Sequence, residues 1–428
     1  MRVRAGLAAL VIVVLAGAVG CTSGRQDGAG PAAATATTVH EHAVAPAALA
    51  ADASPREVRA RFEQLLGQHA LLAVRLARSE VAKTPELQKV VQGSLAANAG
   101  ALTQAVGATY DGADADQFKQ LWGDYTDQLN AYAEGTAAGN SAGVQEARAA
   151  MLANCKDWGA WLAGASGGRV KAGQATRTAE VRVEELMDQV DAYAGKDYDK
   201  AYKLERDAYQ RTYGTGTTLA TAGLSSKAAA DVSKAPENLR SAFAMLLGEH
   251  MELIVDAQRA TFAGSPEFDA AAAQVNANTA TLAKALGGIV GPKKAAEFQS
   301  AWANHVEGLM AYTAAVAGKD EAAKTAAKEN LDGFAERLAL FFSDVVRNVL
   351  ATDPLTDAIT AHDEHLINQV DAYAAKDYAR AQQVQDEGYQ QMVGVANVLV
   401  DAIEKVMAKS LPAGGSLTGG GGTAHVHR

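Results

Sequence analysis

The stretch "QVDAYAAKDY" at residues 369–378 decides the fold, because nearly the same ten residues occur 180 positions earlier as "QVDAYAGKDY" at 189–198. Each copy contains a short polar break between two helical patterns, so each predicts the end of one helix and the start of the next. Asp197 and Asp377 are expected to cap the helices that follow them. The four tyrosines of the two copies are expected to pack across the turn with their hydroxyls toward water. A turn that is needed twice predicts a repeated fold rather than a functional site.

Other similar segments lie at the same separation of 180 or 181 residues. They are "LLGQH" (65–69) with "LLGEH" (246–250), "TPEL" (84–87) with "SPEF" (265–268), and "FKQLW" (118–122) with "FQSAW" (298–302). Self-similarity at a fixed period is the sequence signature of repeated modules. The chain is therefore predicted to hold two homologous units, at 54–226 and 232–409, joined through residues 224–234.

Each unit is predicted to contain about six α-helices, arranged as three helical hairpins. The segment "SPRE" at 54–57 has a serine N-cap, a proline at the first helical position and a glutamate that completes a capping box. Thr84-Pro85, Ser265-Pro266 and Asp353-Pro354 are expected to start further helices. Apolar residues recur at spacings of three and four, and no sustained alternation indicates strands. The predicted fold class is all-α, with two tandem homologous helical bundles.

Residues 1–21 have the pattern of a bacterial lipoprotein signal peptide. Arg2 and Arg4 precede an apolar run from Ala5 to Ala18, and Cys21 follows small residues. A plain secretory signal is the alternative. We expect Cys21 to be lipidated, with palmitate among its acyl chains, and the protein to be extracytoplasmic, anchored to the outer face of the cell membrane.

Both ends of the mature chain read as flexible segments: a linker at 22–53 and a Gly/His-rich disordered tail at 410–428. Without the two signal-peptide arginines the formal net charge falls from −10 to −12. An acidic chain gains nothing from counterion release on nucleic acid, so nucleic acid is not expected as a partner. Cys155 is the other of the two cysteines, so a lipidated Cys21 leaves no internal disulfide. It lies in a helical pattern and is expected to be buried rather than reactive.

Unit two resembles a group of uncharacterised exported α-helical repeat lipoproteins of Gram-positive bacteria. The shared segments are Glu249-His250, "NTATL" (278–282), Trp302 with His305 and Tyr312, and the repeated decapeptide. Some members of that group carry a copper amine oxidase-like label, and this sequence gives no support for amine oxidase chemistry. The resemblance implies a helical fold and export, and it suggests a metal. It is thinner in unit one, where Tyr125 and Glu185 replace histidines.

Nine histidines occur, and five of them lie in predicted helices: His69, His250, His305, His362 and His365. An isolated histidine on an apolar face is most often a hydrogen-bonded core residue, which we expect for His69. The four in the tails are expected to be incidental.

Unit two is different, because His250, His305 and His362 all lie in the apolar stripes of their helices. His365 follows three residues after His362 on nearly the same face, where Arg182 and Glu185 stand in unit one. Such a set can hold zinc(II) or copper(II). Glu249, Glu252 or Glu364 is expected to add a carboxylate or orient a ring. The alternative is that the three helices do not face one another.

Signals of an enzyme are absent from the sequence, which has no phosphate-binding loop, nucleophile elbow or HExxH segment. The paired Glu-x-x-His segments of ferritin-like di-iron proteins are absent as well. Scattered acidic residues are expected to form a solvated face. The sequence favours a lipid-anchored extracytoplasmic binding or scaffold protein and not an enzyme. The partner of such a protein would be another protein or a component of the cell envelope. The alternative is a metal-binding (Zn/Cu) lipoprotein that uses the histidine cluster of unit two.

Overall fold

A computed structural model describes residues 49–50, 52–110, 112–347 and 349–410. The signal peptide, Cys21, most of the predicted linker and the tail after Ser410 lie outside these ranges. The described residues form thirteen α-helices and no strand, which confirms the predicted all-α class. The helices are α1 (Pro55–Val81), α2 (Pro85–Thr109), α3 (Gly112–Ala138), α4 (Ser141–Ala165), α5 (Ala172–Ala194), α6 (Tyr198–Gly223), α7 (Ser226–Val232), α8 (Ala235–Ala263), α9 (Phe268–Val290), α10 (Pro292–Gly318), α11 (Glu321–Val345), α12 (Thr352–Ala374) and α13 (Tyr378–Ser410).

Most helix starts follow the local signals in the sequence. Ser54 and Glu57 form the predicted capping box at the start of α1, and α2 begins at Pro85. The prediction for Ser265-Pro266 is wrong by two residues, because the two lie in a turn and α9 begins at Phe268. Helix α12 begins one residue before Asp353, so the Asp353-Pro354 pair lies in its first turn.

The repeated decapeptide forms the same turn in both places. Asp197 Oδ1 accepts from a backbone N–H at 3.3 Å and Asp377 Oδ1 from another at 3.0 Å, which confirms both as N-caps. The lysine before each aspartate has φ 62°, in the left-handed region. Tyr193 packs against Tyr198 with ring centroids 5.7 Å apart. Its hydroxyl donates to Glu267 Oε1 at 3.1 Å, so the expectation that it faces water is wrong.

Two helices hold the described fold together. Helix α1 packs against α2, α3, α5 and α6, while α8 packs against α9, α10, α12 and α13. Contacts also join α1 to α8, α2 to α13 and α6 to α9. The division of the chain into two tandem bundles at 54–226 and 232–409 stays a prediction.

The glycine of each "LLGxH" segment lies where two tyrosines approach the helix. A Cβ on Gly67 would lie 2.8 Å from the hydroxyl oxygen of Tyr389 and 2.9 Å from the ring of Tyr209. A Cβ on Gly248 would meet the same two tyrosines at 2.8 and 3.0 Å. Only a residue without a side chain permits this close packing, which explains why both segments contain glycine.

A buried ionic cluster joins α1 to α6 and α8. Arg78 contacts Glu205 at 2.6 Å and Asp256 at 3.1 Å, and Arg75 contacts Glu252 and, at 3.6 Å, Asp256. All five side chains are nearly inaccessible to solvent. The expectation that the scattered acidic residues form a solvated face is therefore wrong for these three. Buried charges persist only when they are paired, because an uncompensated one is expensive.

Candidate metal centre

Three of the four histidines predicted as ligands meet in the interior. His250 lies on α8, His305 on α10 and His362 on α12, and these three helices pack against one another. Each histidine offers a ring nitrogen, and these nitrogens all lie within 4.8 Å of one another. The ring centroids are 5.5 to 5.8 Å apart, and all three side chains are at most 3% exposed. The helices that carry them therefore do face one another.

The indole of Trp302 fixes the ring of His250. Trp302 Nε1–H donates to His250 Nδ1 at 3.2 Å, and the ring centroids lie 4.7 Å apart. With Nδ1 accepting this bond, the proton of the neutral imidazole resides on Nε2. A metal at Nε2 of the neutral imidazole therefore requires the proton to move to Nδ1, and the indole N–H then loses its acceptor. This contact works against metal binding.

His305 has an oriented ring and a carboxyl neighbour. Its ring is stacked on Phe334, with centroids 4.5 Å apart and 16° between the planes. Its Nδ1 lies 3.3 Å from Asp363 Oδ1. The two atoms do not form a hydrogen bond in this geometry, and a carboxylate that orients an imidazole for a metal has to form one. Asp363 was not among the residues expected from the sequence.

The three imidazoles are electrically neutral at ordinary pH. Burial, together with its histidine neighbours, holds the pKa of His250 and of His305 well below the usual value. Burial, with a smaller effect of His365, lowers the pKa of His362 to about 3. Neither ring nitrogen of His362 has a hydrogen-bond partner among the described residues. Neutral imidazoles with free lone pairs are the form in which histidine binds metals.

The carboxyl of Asp363 is buried without a charged partner at hydrogen-bonding distance. Burial, with a smaller effect of the exposed Asp332, raises the pKa of Asp363 well above its usual value. The group is therefore stabilised as a neutral acid while no cation is near. A cation bound by the histidines would favour its ionised form.

The structure does not bring the fourth predicted ligand or the expected glutamates to this cluster. His365 is partly buried, and its Nδ1 lies 2.6 Å from the carbonyl oxygen of Ala361. Glu364 is exposed. Glu249 pairs with an arginine of α6 at 2.9 Å, and Glu252 belongs to the ionic cluster. Of the acidic residues near the three histidines, Asp363 is the one that lies beside a ring.

A cavity of about 610 Å³ adjoins the histidine cluster. His305, His362 and Trp302 form part of its wall, and the remainder is almost entirely apolar. Val398, which is 53% exposed, also lines it, so the cavity reaches the surface. No lysine or arginine is among its described lining residues. The only other polar side chain is Gln391, whose amide donates to a backbone carbonyl at 2.7 Å.

The first half of the chain carries a different set of groups at the corresponding positions. Trp122 Nε1–H donates to His69 Nδ1 at 3.3 Å, so His69 is the hydrogen-bonded core residue expected from the sequence. Tyr125 stands in place of the second histidine and Arg182 in place of the third. The guanidinium of Arg182 lies 4.7 Å from the ring centroid of Tyr125. Burial, with a smaller effect of Arg182, lowers the pKa of His69 to about 3.

The first half thus has the permanently charged guanidinium of Arg182 where the second half has the imidazole of His362. Val183 occupies the position that corresponds to Asp363. The pocket next to His69 has no room for a water molecule, whereas the cavity next to His305 and His362 measures about 610 Å³. Among the described residues, a buried acid and a cavity of this size beside the histidines are therefore found in the second half.

Cys155 is buried, as expected, and burial raises the pKa of its thiol to about 11, which keeps it protonated and unreactive.

None of the described helices has the length and apolar character needed to cross a membrane. Cys21 and the four tail histidines, His40, His42, His425 and His427, lie outside the described residues.

Comparison with protein-family models, curated proteins and solved structures finds no match. The resemblance to exported lipoproteins therefore stays a prediction.

Proposed function

We propose that this protein binds one divalent transition-metal ion, zinc(II) or copper(II), through His250, His305 and His362. The observation that carries the proposal is the convergence of three buried, neutral imidazoles from three helices within 4.8 Å. Zinc–nitrogen bonds of about 2.0–2.1 Å place tetrahedral ligand atoms roughly 3.3 Å apart. The three nitrogens, which lie within 4.8 Å of one another, have to move closer together to reach that spacing.

The contents of the site favour a metal over a purely structural core. A core histidine needs hydrogen-bond partners for its polar atoms, since an unpaired buried group costs about 1–3 kcal/mol. Both nitrogens of His362 lack such partners here, and Asp363 lies beside His305 without an arginine or lysine. A bound cation would use the free lone pairs and give the carboxylate an opposite charge.

The chemistry of the donors limits the choice of ion. Imidazole nitrogens suit zinc(II) and copper(II), whereas cuprous copper prefers thiolate and thioether sulfur. The three nitrogens leave one position of a tetrahedral site for a non-protein ligand. The scaffold role that the sequence favours stays a prediction, and the histidine cluster is the reason for preferring metal binding. We further propose that the protein works by binding, from an exported position anchored at Cys21.

Metal titration tests the proposal on a chain whose tails cannot contribute ligands. The tail-silent chain starts at residue 22 and has alanine in place of His40, His42, His425 and His427. We expect isothermal titration calorimetry and elemental analysis to find one zinc(II) or copper(II) per chain. A folded tail-silent chain that retains no metal after desalting would contradict the proposal.

The chain provides matched control variants. His250→Ala and His69→Ala each remove a buried histidine that accepts a hydrogen bond from a tryptophan, so their structural costs should be similar. Only His250→Ala is expected to abolish metal binding. The double variant His305→Tyr/His362→Arg introduces the residues of the first half and should also lose the metal. Equal metal binding by this double variant, folded by circular dichroism, would place the site elsewhere.

Anchoring is tested separately. Cys21→Ala should release the protein from the membrane fraction of cells that produce the full-length chain, and mass spectrometry should find lipid on Cys21 of the unaltered protein. An unmodified Cys21 in mature protein would exclude the anchor without affecting the metal proposal.

A further inference from the structure

We propose that the cavity beside the three histidines binds a single-chain carboxylic acid, whose carboxylate occupies the open position on the metal. This inference rests on the proposed metal site and adds its ligand class. The ligand has one anionic head and one unbranched apolar tail. The head meets the metal at His305 and His362, and the tail lies along the apolar wall.

The charge of the filled site calls for an anion at the open position. Three neutral imidazoles leave the +2 charge of the ion uncompensated, and an uncompensated charge in a buried site is costly. A carboxylate as fourth ligand reduces this charge, which an uncharged head group does not do. Glu249 and Glu252 cannot provide this charge, because each is already paired with an arginine.

The cavity wall selects the rest of the ligand. Two histidines, a tryptophan and Gln391 supply the polar groups of its wall, and aliphatic and aromatic residues such as Phe243, Leu286 and Val395 cover most of the remainder. Burial of apolar surface contributes roughly 25 cal/mol per Å², so a long apolar tail gains free energy along this wall. A second charge on the ligand would find no partner among the described lining residues, because none of them is a lysine or arginine.

The size of the cavity fits such a molecule. Dodecanoate has roughly 14 non-hydrogen atoms, which need about 420 Å³ at roughly 30 Å³ for each water-sized group. The cavity offers about 610 Å³. Since Val398 connects the wall to the surface, the tail can enter or leave without unfolding of the helices.

The experiment compares dodecanoate with 1-dodecanol, which has the same tail and no charge. Both are titrated by calorimetry into the tail-silent chain with and without bound zinc, dodecanoate below its micelle concentration and dodecanol below its solubility limit. Zinc content is measured on the same samples. We expect zinc to tighten dodecanoate binding at least tenfold and to change dodecanol binding less than twofold.

Two variants show whether the ligand occupies this cavity. Ala358 and Gly394 both line it, and a Cβ on Gly394 would meet no atom within 4 Å, so the first carbon of a side chain fits there. Ala358→Phe and Gly394→Phe should each weaken dodecanoate binding by the zinc-loaded protein about tenfold. Zinc uptake itself should not change.

The outcomes separate the two proposals. A protein that takes up zinc but does not bind dodecanoate overturns this inference and leaves the metal site standing. If zinc changes the affinities for dodecanoate and dodecanol equally, the inference is overturned as well, because the carboxylate would then not reach the metal. Undiminished binding in both filled variants would place the ligand outside the cavity. A protein that takes up no zinc contradicts the proposed function, and this inference falls with it because the carboxylate would have no metal to bind.

Discussion

Replacement of Asp363 by asparagine should weaken the metal site while it stabilises the metal-free protein. Asparagine keeps the size of the side chain and removes the carboxyl group whose Oδ1 lies 3.3 Å from His305 Nδ1. Loss of a carboxylate that orients a metal-binding histidine typically costs 10- to 100-fold in metal affinity. This corresponds to about 1.4–2.7 kcal/mol of binding free energy.

The metal-free protein responds in the opposite direction. Because burial raises the pKa of Asp363, the folded state keeps a proton that the unfolded state loses above about pH 3.8. The stability associated with this proton is fully present below that pH and is lost as the pH rises through the raised pKa. Asp363→Asn removes this loss, so the metal-free variant should unfold at a higher temperature than the unaltered protein at pH 7.

Scanning calorimetry measures both effects. At a free zinc concentration of one hundred times the Kd of the unaltered site, zinc adds about 2.7 kcal/mol of stability. With about 2.1 cal/mol/K of unfolding entropy per residue over roughly 360 residues, the melting temperature rises by about 3.6 °C. The same zinc concentration should raise the melting temperature of Asp363→Asn by only about 0.5–1.9 °C.

A neighbouring residue supplies the control. Glu364 is exposed, so Glu364→Gln removes one charge of the same sign without touching the cluster. It should leave both the metal-free melting temperature and the zinc-induced rise unchanged. If Asp363→Asn keeps the full rise, Asp363 does not act on the metal through His305. A loss of stability in metal-free Asp363→Asn would refute the reasoning about its buried charge.

Three further predictions concern the same site. Trp302→Phe removes the indole that donates to His250 Nδ1, so zinc binding no longer breaks a hydrogen bond worth about 0.5–1.5 kcal/mol. Zinc should therefore bind roughly two- to tenfold more tightly, and weaker binding in titration would contradict this. The triple change Tyr125→His, Arg182→His and Val183→Asp should raise the zinc content found by elemental analysis from one to two ions per chain, because the ring centroids of His69 and Tyr125 are 5.7 Å apart and those of His250 and His305 are 5.8 Å apart. A folded variant that still binds one ion would show that ring spacing is insufficient. Zinc should remain bound as the pH falls below 6.5, because the lowered pKa values of the three ligand imidazoles make protons weak competitors for their nitrogens. Release of zinc near pH 6.5 from protein that is still helical by circular dichroism would contradict this.

Local sequence signals were sufficient to predict most of the fold. The capping box at Ser54 and the caps at Asp197 and Asp377 depend on contacts within four residues, so they are visible in the sequence. The start of α9 was not predictable in the same way, since Ser265-Pro266 forms a turn whose serine bonds to Glu267. The decapeptide predicted its turn but not the hydroxyl contact of Tyr193, which depends on a residue 74 positions away.

The candidate site was predictable where helix periodicity carries the information. His250, His305 and His362 lie in apolar stripes, and buried stripes of packed helices face one another. His365 is displaced by about 60° around the helix from His362, which is enough to turn its ring to a backbone carbonyl. Asp363 was missed because one isolated acidic residue reads as solvent-exposed. The signal was present in its counterpart Val183, since an apolar residue at the matching position indicates that this side of α12 is buried.

The ionic cluster between α1 and α8 has a consequence for how the chain can be cut. A fragment that ends at residue 226 would keep Arg75 and Arg78 but lack Glu252 and Asp256. Arg75 would lose both of its carboxylate partners, whereas Arg78 would keep Glu205. The cut would also expose to water the part of α1 that contacts α8. A fragment that ends at residue 226 is therefore expected to be less stable than the same residues in the whole chain.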